Sequence, residues 1–187
     1  TPYNGDSKVQ YSPDAPTWAE EYSLGSTGDR FSDVTAVTTG KVWAVTYGGR
    51  LIQRSADGAW IQYPTIFPQA LRSVDFVNDN EGWIVGDGGF TAHTIDGGIT
   101  WQTATLPGGA TTRLYSISTP VQGRAWATGQ ANKIYHYSGG NWIQVYSDAD
   151  PQIFWSILSL NDRLVFAAGT NGGVIKSTDG GSTWRYV

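Results

Sequence analysis

The sequence predicts an all-β protein: a β-propeller of four-stranded antiparallel blades, with four whole repeats preceded by an N-terminal half-repeat. Three residue registers predict it. Trp18, Trp60, Trp101, Trp142 and Trp184 stand 42, 41, 41 and 42 residues apart. Trp43, Trp83, Trp126 and Phe166 form a second series spaced 40, 43 and 40. Val34, Val74, Ile117 and Ile157 each stand nine residues before a member of that second series. Three aromatic or β-branched registers in step over four units define a repeat. A unit of this size cannot bury its own faces, so the units must stack.

The strands follow in the same order in every unit. A first strand reads Phe31-Ser32-Asp33-Val34, Leu71-Arg72-Ser73-Val74, Leu114-Tyr115-Ser116-Ile117 and Phe154-Trp155-Ser156-Ile157. A polar turn at Gly40, Gly82, Gly123 or Asp162 leads to an apolar second strand, such as Val42-Trp43-Ala44-Val45. A second turn, glycine-rich in three units, precedes a third strand carrying Leu51-Ile52, Phe90-Thr91, Ile134-Tyr135 or Val174-Ile175. A hairpin then enters a fourth strand headed by Trp. Four short strands in about 41 residues is the pattern of a propeller blade. Residues 1–187 thus read as one domain: a half-repeat at 1–24 and repeats at about 25–64, 65–107, 108–148 and 149–187. The count fits a five-bladed propeller or an incomplete larger one. The half-repeat supplies only a hairpin, which predicts an open β edge needing cover from further sequence, another chain or a second copy.

Composition agrees. There are 24 Gly and 9 Trp but only 15% charged residues, a balance that favours short strands and tight turns. The net charge of −4, with no Lys/Arg run, argues against nucleic acid as a partner. No apolar run approaches the roughly 20 residues of a membrane span. The chain has no Cys and no Met, so disulfides and thiolate metal sites are excluded. An opening Thr1-Pro2-Tyr3 predicts a processed chain or part of a longer one; processing after export would fit a periplasmic, lumenal or secreted home.

The hairpin before the fourth strand is the most informative motif. Ser177-Thr178-Asp179-Gly180-Gly181-Ser182-Thr183-Trp184 and Thr94-Ile95-Asp96-Gly97-Gly98-Ile99-Thr100-Trp101 both match Ser/Thr-x-Asp-x-Gly-x-Thr-Trp. The Asp accepts hydrogen bonds from turn N–H groups, Gly supplies positive φ, and Trp packs beneath. Shortened copies contain Asp14 and Trp18, then Asp57 and Trp60; the copy ending at Trp142 has lost its Asp. A turn kept in five places by unequal copies reads as architecture, which gives these Asp residues a structural role.

These motifs resemble Asp-box, or bacterial-neuraminidase-repeat, propellers. The nearer likeness is to the photosystem II assembly and stability factor family, carried by Gly82-Trp83-Ile84-Val85-Gly86-Asp87-Gly88-Gly89 and the Asp box that follows it. The resemblance covers about residues 8 to 187. It implies a seven-bladed, extracytoplasmic, non-catalytic protein that helps assemble or stabilise membrane protein complexes. It therefore implies protein subunits of a membrane-associated, possibly photosynthetic, complex as partners. This chain departs from the family in holding only four and a half repeats.

The competing readings are weaker. A sialidase needs an arginine triad and a Tyr/Glu pair, and glycosidases in general need paired acidic residues. Only Glu20, Glu21 and Glu81 are present, the first two exposed-looking, and none of the eight Arg sits alone in the context such an enzyme needs, near an early strand with an Asp partner. His93 and His136 occupy equivalent third-strand positions, and no Cys or third His exists to complete a zinc set. No catalytic residue, metal or cofactor is expected. Propellers of this kind commonly bind through the loops opposite their Asp boxes, which here carry Arg30, Arg50, Asp87, Arg113, Lys133 and Asn171. These six are the candidate partner-binding residues, against the simpler reading of scattered solubilising charge. A glycan-binding lectin is the alternative. Its blades would repeat one polar and aromatic set, whereas Tyr47-Gly48-Gly49, Asp87-Gly88-Gly89, Gln130-Ala131-Asn132 and Asn171-Gly172-Gly173 share no common chemistry.

Overall fold

The computed structural model describes residues 7–12, 19–25, 28–107, 112–148 and 153–187. The Asp14 and Trp18 motif lies outside the described residues. A hairpin of β1 (Lys8–Tyr11) and β2 (Ala19–Ser23) precedes four antiparallel four-stranded sheets. Blade 1 is β3 (Phe31–Ala36), β4 (Val42–Thr46), β5 (Arg50–Arg54) and β6 (Trp60–Ile66). Blade 2 is β7 (Leu71–Phe76), β8 (Gly82–Gly86), β9 (Phe90–Thr94) and β10 (Gln102–Thr105). Blade 3 is β11 (Leu114–Ser118), β12 (Ala125–Gly129), β13 (Ile134–Ser138) and β14 (Asn141–Tyr146). Blade 4 is β15 (Phe154–Ser159), β16 (Val165–Gly169), β17 (Val174–Ser177) and β18 (Arg185–Tyr186). Among the described residues no helix is long and apolar enough to cross a membrane.

The core lies between blades, which explains the two tryptophan registers. Trp43 of blade 1 stacks on Phe76 of blade 2 with ring centroids 3.8 Å apart. Trp83 of blade 2 meets Trp142 of blade 3 edge-on at 5.4 Å, and Trp126 of blade 3 meets Trp184 of blade 4 at 6.2 Å. Each second-strand Trp thus inserts into the following blade, on the side of its Asp-box Trp. Second strands run through the middle of this packing, so every residue of β8 and β12 is buried. In β16 burial falls off: Phe166 is half-buried and Ala168 exposed.

Inner strands β3, β7, β11 and β15 are sheet edges, whose outward N–H groups need partners. Side chains of the preceding blade supply them. Val74 N–H donates to Asp33 (3.0 Å), Ile117 N–H to Ser73 Oγ (3.3 Å) and Ile157 N–H to Ser116 Oγ (3.2 Å). One step along, Thr119 N–H donates to Asp75 (2.7 Å) and Ser159 N–H to Ser118 Oγ (3.0 Å). Residues about 41 apart are thereby locked in register around the axis. The β1–β2 hairpin docks on blade 1 differently. Tyr22 stacks on Trp60 at 5.4 Å, and Glu21 takes a two-bond clamp from Arg54 (2.7 and 2.9 Å) and the Trp60 indole N–H (3.1 Å). Glu21 is therefore not the loose surface acid its sequence context suggests; the Arg54 guanidinium holds its carboxyl below the usual range.

The two full Asp boxes form the expected turns. Thr100 and Thr183 donate from both N–H and hydroxyl to Asp96 and Asp179, and the Trp101 and Trp184 indoles donate to the carbonyls of Gly98 and Gly181. Gly97, Gly98, Gly180 and Gly181 all have positive φ. The degraded copies depart from this: Trp60 donates to Glu21 instead, while the Trp142 indole N–H has no partner among the described residues. Hydrogen bonds from the Thr183 hydroxyl and N–H and from Ser177 depress the Asp179 pKa from 3.8 to about 2. A depressed carboxyl stabilises the fold above its unfolded pKa and loses that contribution as pH falls through its folded one. Asp179→Asn is thus expected to melt below wild type at neutral pH, with the gap closing as both are titrated from about pH 4 down towards 2; thermal melts across that range check it.

Candidate protein-binding rim

The second residue of every inner strand sits in a β-bulge. Register shifts fall between Phe31 and Asp33, Leu71 and Ser73, Leu114 and Ser116, and Phe154 and Ser156. A bulge adds one unpaired residue and re-aims its side chain. Ser32, Arg72, Tyr115 and Trp155 are those residues, at the end of the blades opposite the Asp boxes.

Three of them join with loop residues in a continuous ladder. The Arg72 guanidinium lies 4.8 Å from the Tyr47 ring centroid and 5.8 Å from that of Tyr115. Arg30 stands 5.8 Å from the same Tyr47 ring. Tyr115 continues to Trp155, with centroids 4.6 Å apart and planes at 47°. Asp87 grips Arg72 through two bonds (2.8 and 3.0 Å) and lies 3.5 Å from Arg113. That pairing raises the Arg72 pKa further, so this cation is permanent. Close by in blade 1, Asp29 accepts from Thr46 Oγ1 and Gly48 N–H (both 2.7 Å) and lies 3.5 Å from Arg50. The ladder is a preorganised surface of alternating cation and ring.

Of the six residues named from sequence, Arg30, Asp87 and Arg113 belong to this cluster, and Arg50 borders it through Asp29. Lys133 and Asn171 do not join it. Lys133 follows the 3-10 turn of blade 3, and Asn171 lies within that of blade 4 at φ 59°. The sequence does not single out Arg72, Tyr115 and Trp155 as site residues, and it shows Tyr47 only as part of a loop. A usable signal was present: apolar residues stand at positions 1 and 4 of each inner strand (Leu71 and Val74; Leu114 and Ile117). A regular strand with one buried face would place them at 1 and 3, so the extra residue marks the bulge.

Other polar candidates are structural. His93 and His136 lie flat on Trp83 and Trp126 of their own blades, at 3.8 and 3.9 Å, and burial pushes both pKa values down. Glu81, only 8% exposed, accepts from Gly123 N–H of the next blade (2.7 Å) and faces His93 Nε2 at 3.2 Å. It ties two blades together.

A family model described as "Photosynthesis system II assembly factor YCF48" matches residues 52–185. The chain belongs to that family. Among curated relatives, a photosystem II assembly lipoprotein Ycf48 of Synechococcus sp. (strain CC9902) is 31% identical over 117 residues, covering 60% of this chain and 35% of the relative. A photosystem II assembly protein Ycf48 of Synechococcus sp. (strain JA-3-3Ab) is 27% identical over 135 residues, covering 69% and 40%. The chain therefore spans about 35–40% of the length of these relatives. Among solved structures, YCF48 bound to D1 peptide aligns with TM-score 0.58 at 26% identity, over 67% of this chain and 42% of that one. YCF48 from Cyanidioschyzon merolae aligns with TM-score 0.70 at 17% identity, over 97% and 66%. A virginiamycin B lyase from Staphylococcus aureus aligns with TM-score 0.78 at 17% identity, over 96% and 62%. The last two likenesses concern the propeller fold alone.

Proposed function

We propose that this member of the Ycf48 family is a non-catalytic, extracytoplasmic protein-binding propeller that serves the assembly or stability of a membrane-associated complex. The observation that carries the reading is the ladder of Arg30, Tyr47, Arg72, Tyr115 and Trp155, one rigid surface built from all four blades. Arg and aromatic side chains are those enriched where proteins bind proteins tightly. The carboxylates beside the ladder act as acceptors within the scaffold: Asp87 for Arg72, and Asp29 for Thr46 and Gly48. That use is positional, and no paired acid and base is built from them. The relative bound to a D1 peptide supports a polypeptide as partner.

The test is fluorescence anisotropy of a labelled D1 peptide titrated with the folded chain. Saturable binding at roughly micromolar protein, weakened by salt and by Arg30→Ala, is expected. Absence of binding to a protein that melts cooperatively, or hydrolysis of a sialoside by it, would overturn the reading.

A further inference from the structure

We propose that Glu81, His93 and the Gly123 N–H form a pH-sensitive joint between blades 2 and 3. A proton taken up by His93 draws the Glu81 carboxylate off Gly123 and frees the turn between β11 and β12. Both blades have a neighbour on either side. The joint does not depend on what the rim binds.

One oxygen serves two donors. Glu81 Oε1 accepts from Gly123 N–H of blade 3 at 2.7 Å and faces His93 Nε2 of its own blade at 3.2 Å. An ionised carboxylate only accepts, so that imidazole nitrogen carries its hydrogen. With His93 neutral, the amide holds the shorter bond. An imidazolium attracts the carboxylate with a full charge, where the amide offers only a dipole. Protonation therefore reverses the preference of the shared oxygen. The two side chains are only 15% and 10% exposed, so water offers little substitute.

His93 lies on Trp83 of β8, with the Tyr137 ring of β13 at 5.9 Å. Glu81, from the turn between β7 and β8, is the charged group that acts on it: burial pushes His93 below its ordinary 6.5 and Glu81 pulls it back up. In blade 3, Arg124 stands next to Gly123 and donates to Ser138 Oγ of β13. The chain contains its own comparison. His136 pairs with Trp126 as His93 does with Trp83, but Arg124 takes the place of Glu81, and His136 Nε2 has no partner among the described residues. Burial and Arg124 push His136 down, opposed by Asp162. Blade 1 carries Gln53 in the histidine position, and its Lys41, in the place of Glu81, meets Asp79 of blade 2 at 3.3 Å. Among the described residues, only the seam of blades 2 and 3 sets an imidazole against a carboxylate that bonds both blades. Imidazole is the side chain whose charge changes near neutrality.

The chain has only two His, so NMR can follow both imidazoles, and the Gly123 amide with them, from about pH 8 to 5. His93 should take its proton first, and the Gly123 amide signal should move with the same midpoint. Glu81→Gln should lower the His93 midpoint by about one pH unit and leave that of His136 in place. Stability gives the second readout. A folded-state pKa below the unfolded 6.5 means that stability present above pH 6.5 is lost as pH falls towards the folded value. Over about pH 6.5 to 5 the urea midpoint should therefore fall less than wild type in His93→Gln, which copies Gln53 of blade 1, and more in Glu81→Gln. Parallel pH curves for the three proteins would reduce the joint to a fixed structural contact and overturn the proposal. So would a Gly123 signal that ignores His93, or a His136 that titrates before it.

Discussion

Trp126→Ala is expected to lower the stability of the chain by about 3–5 kcal/mol, the range for emptying a large buried aromatic site. Trp126 is fully buried, lies flat on His136 of its own blade and meets Trp184 of the next. It belongs to the cluster that also holds Ile134, Phe154, Ile157 and Ile175, so its loss opens the seam between blades 3 and 4. The seam cannot simply close over the void. The bonds from Ile157 to Ser116 and from Ser159 to Ser118 hold the inner strands at their spacing, while Gly181 packs against the indole from above. Urea denaturation checks it: the midpoint should fall sharply with the slope retained, and Trp126→Phe should recover a good part. A shift below about 1 kcal/mol would mean that the blades are held by their strand edges and not by the interleaved rings.

Gly129→Ala should cost about 3 kcal/mol, at the upper end for forcing atoms into filled space. Gly129 ends β12 in an extended conformation that any residue adopts, so its backbone angles are not the obstacle. Space is. A Cβ there would collide with the carbonyl oxygen of Arg113, to which Gln130 N–H donates at 2.9 Å. Gly86 and Gly169 meet the carbonyls of Ala70 and Ile153 in the same way. In each case the chain entering the inner strand passes directly over the end of the second strand. The informative control is Gly123→Ala, where φ is +71° but nothing lies within 4 Å. That change should cost only the left-handed strain of about 1 kcal/mol. Equal effects at the two sites, read from denaturation midpoints, would contradict this account. Because Arg113 must move when Gly129 gains a side chain, peptide binding at the rim should weaken as well.

The sequence displayed the blade order and the Asp-box turns because both are written in short-range terms. Trp184 follows Asp179 by five residues, and the bonds that close that turn span two to four. The rim was only half legible. Arg30, Arg50 and Arg113 stand beside turns and declare themselves as charges on loops. Arg72, Tyr115 and Trp155 lie inside strands, where a polar or aromatic residue reads as an ordinary alternating position. Only the bulge turns them towards one another.

By itself, the sequence determined the all-β class, the repeat of about 41 residues and the architecture of the Asp box. Each of these follows from which residues neighbour one another along a strand or turn. The tertiary structure alone decided that Trp43, Trp83 and Trp126 pack into the following blade, that Glu21 and Glu81 are ties and not loose acids, and that the rim is a ladder of rings and guanidinium groups. The physical reason is separation along the chain. The Arg72–Tyr47 and Tyr115–Trp155 pairs join residues 25 and 40 positions apart. Such pairs come within reach only after the blades have been set side by side, by inter-blade bonds that one-dimensional periodicity does not display.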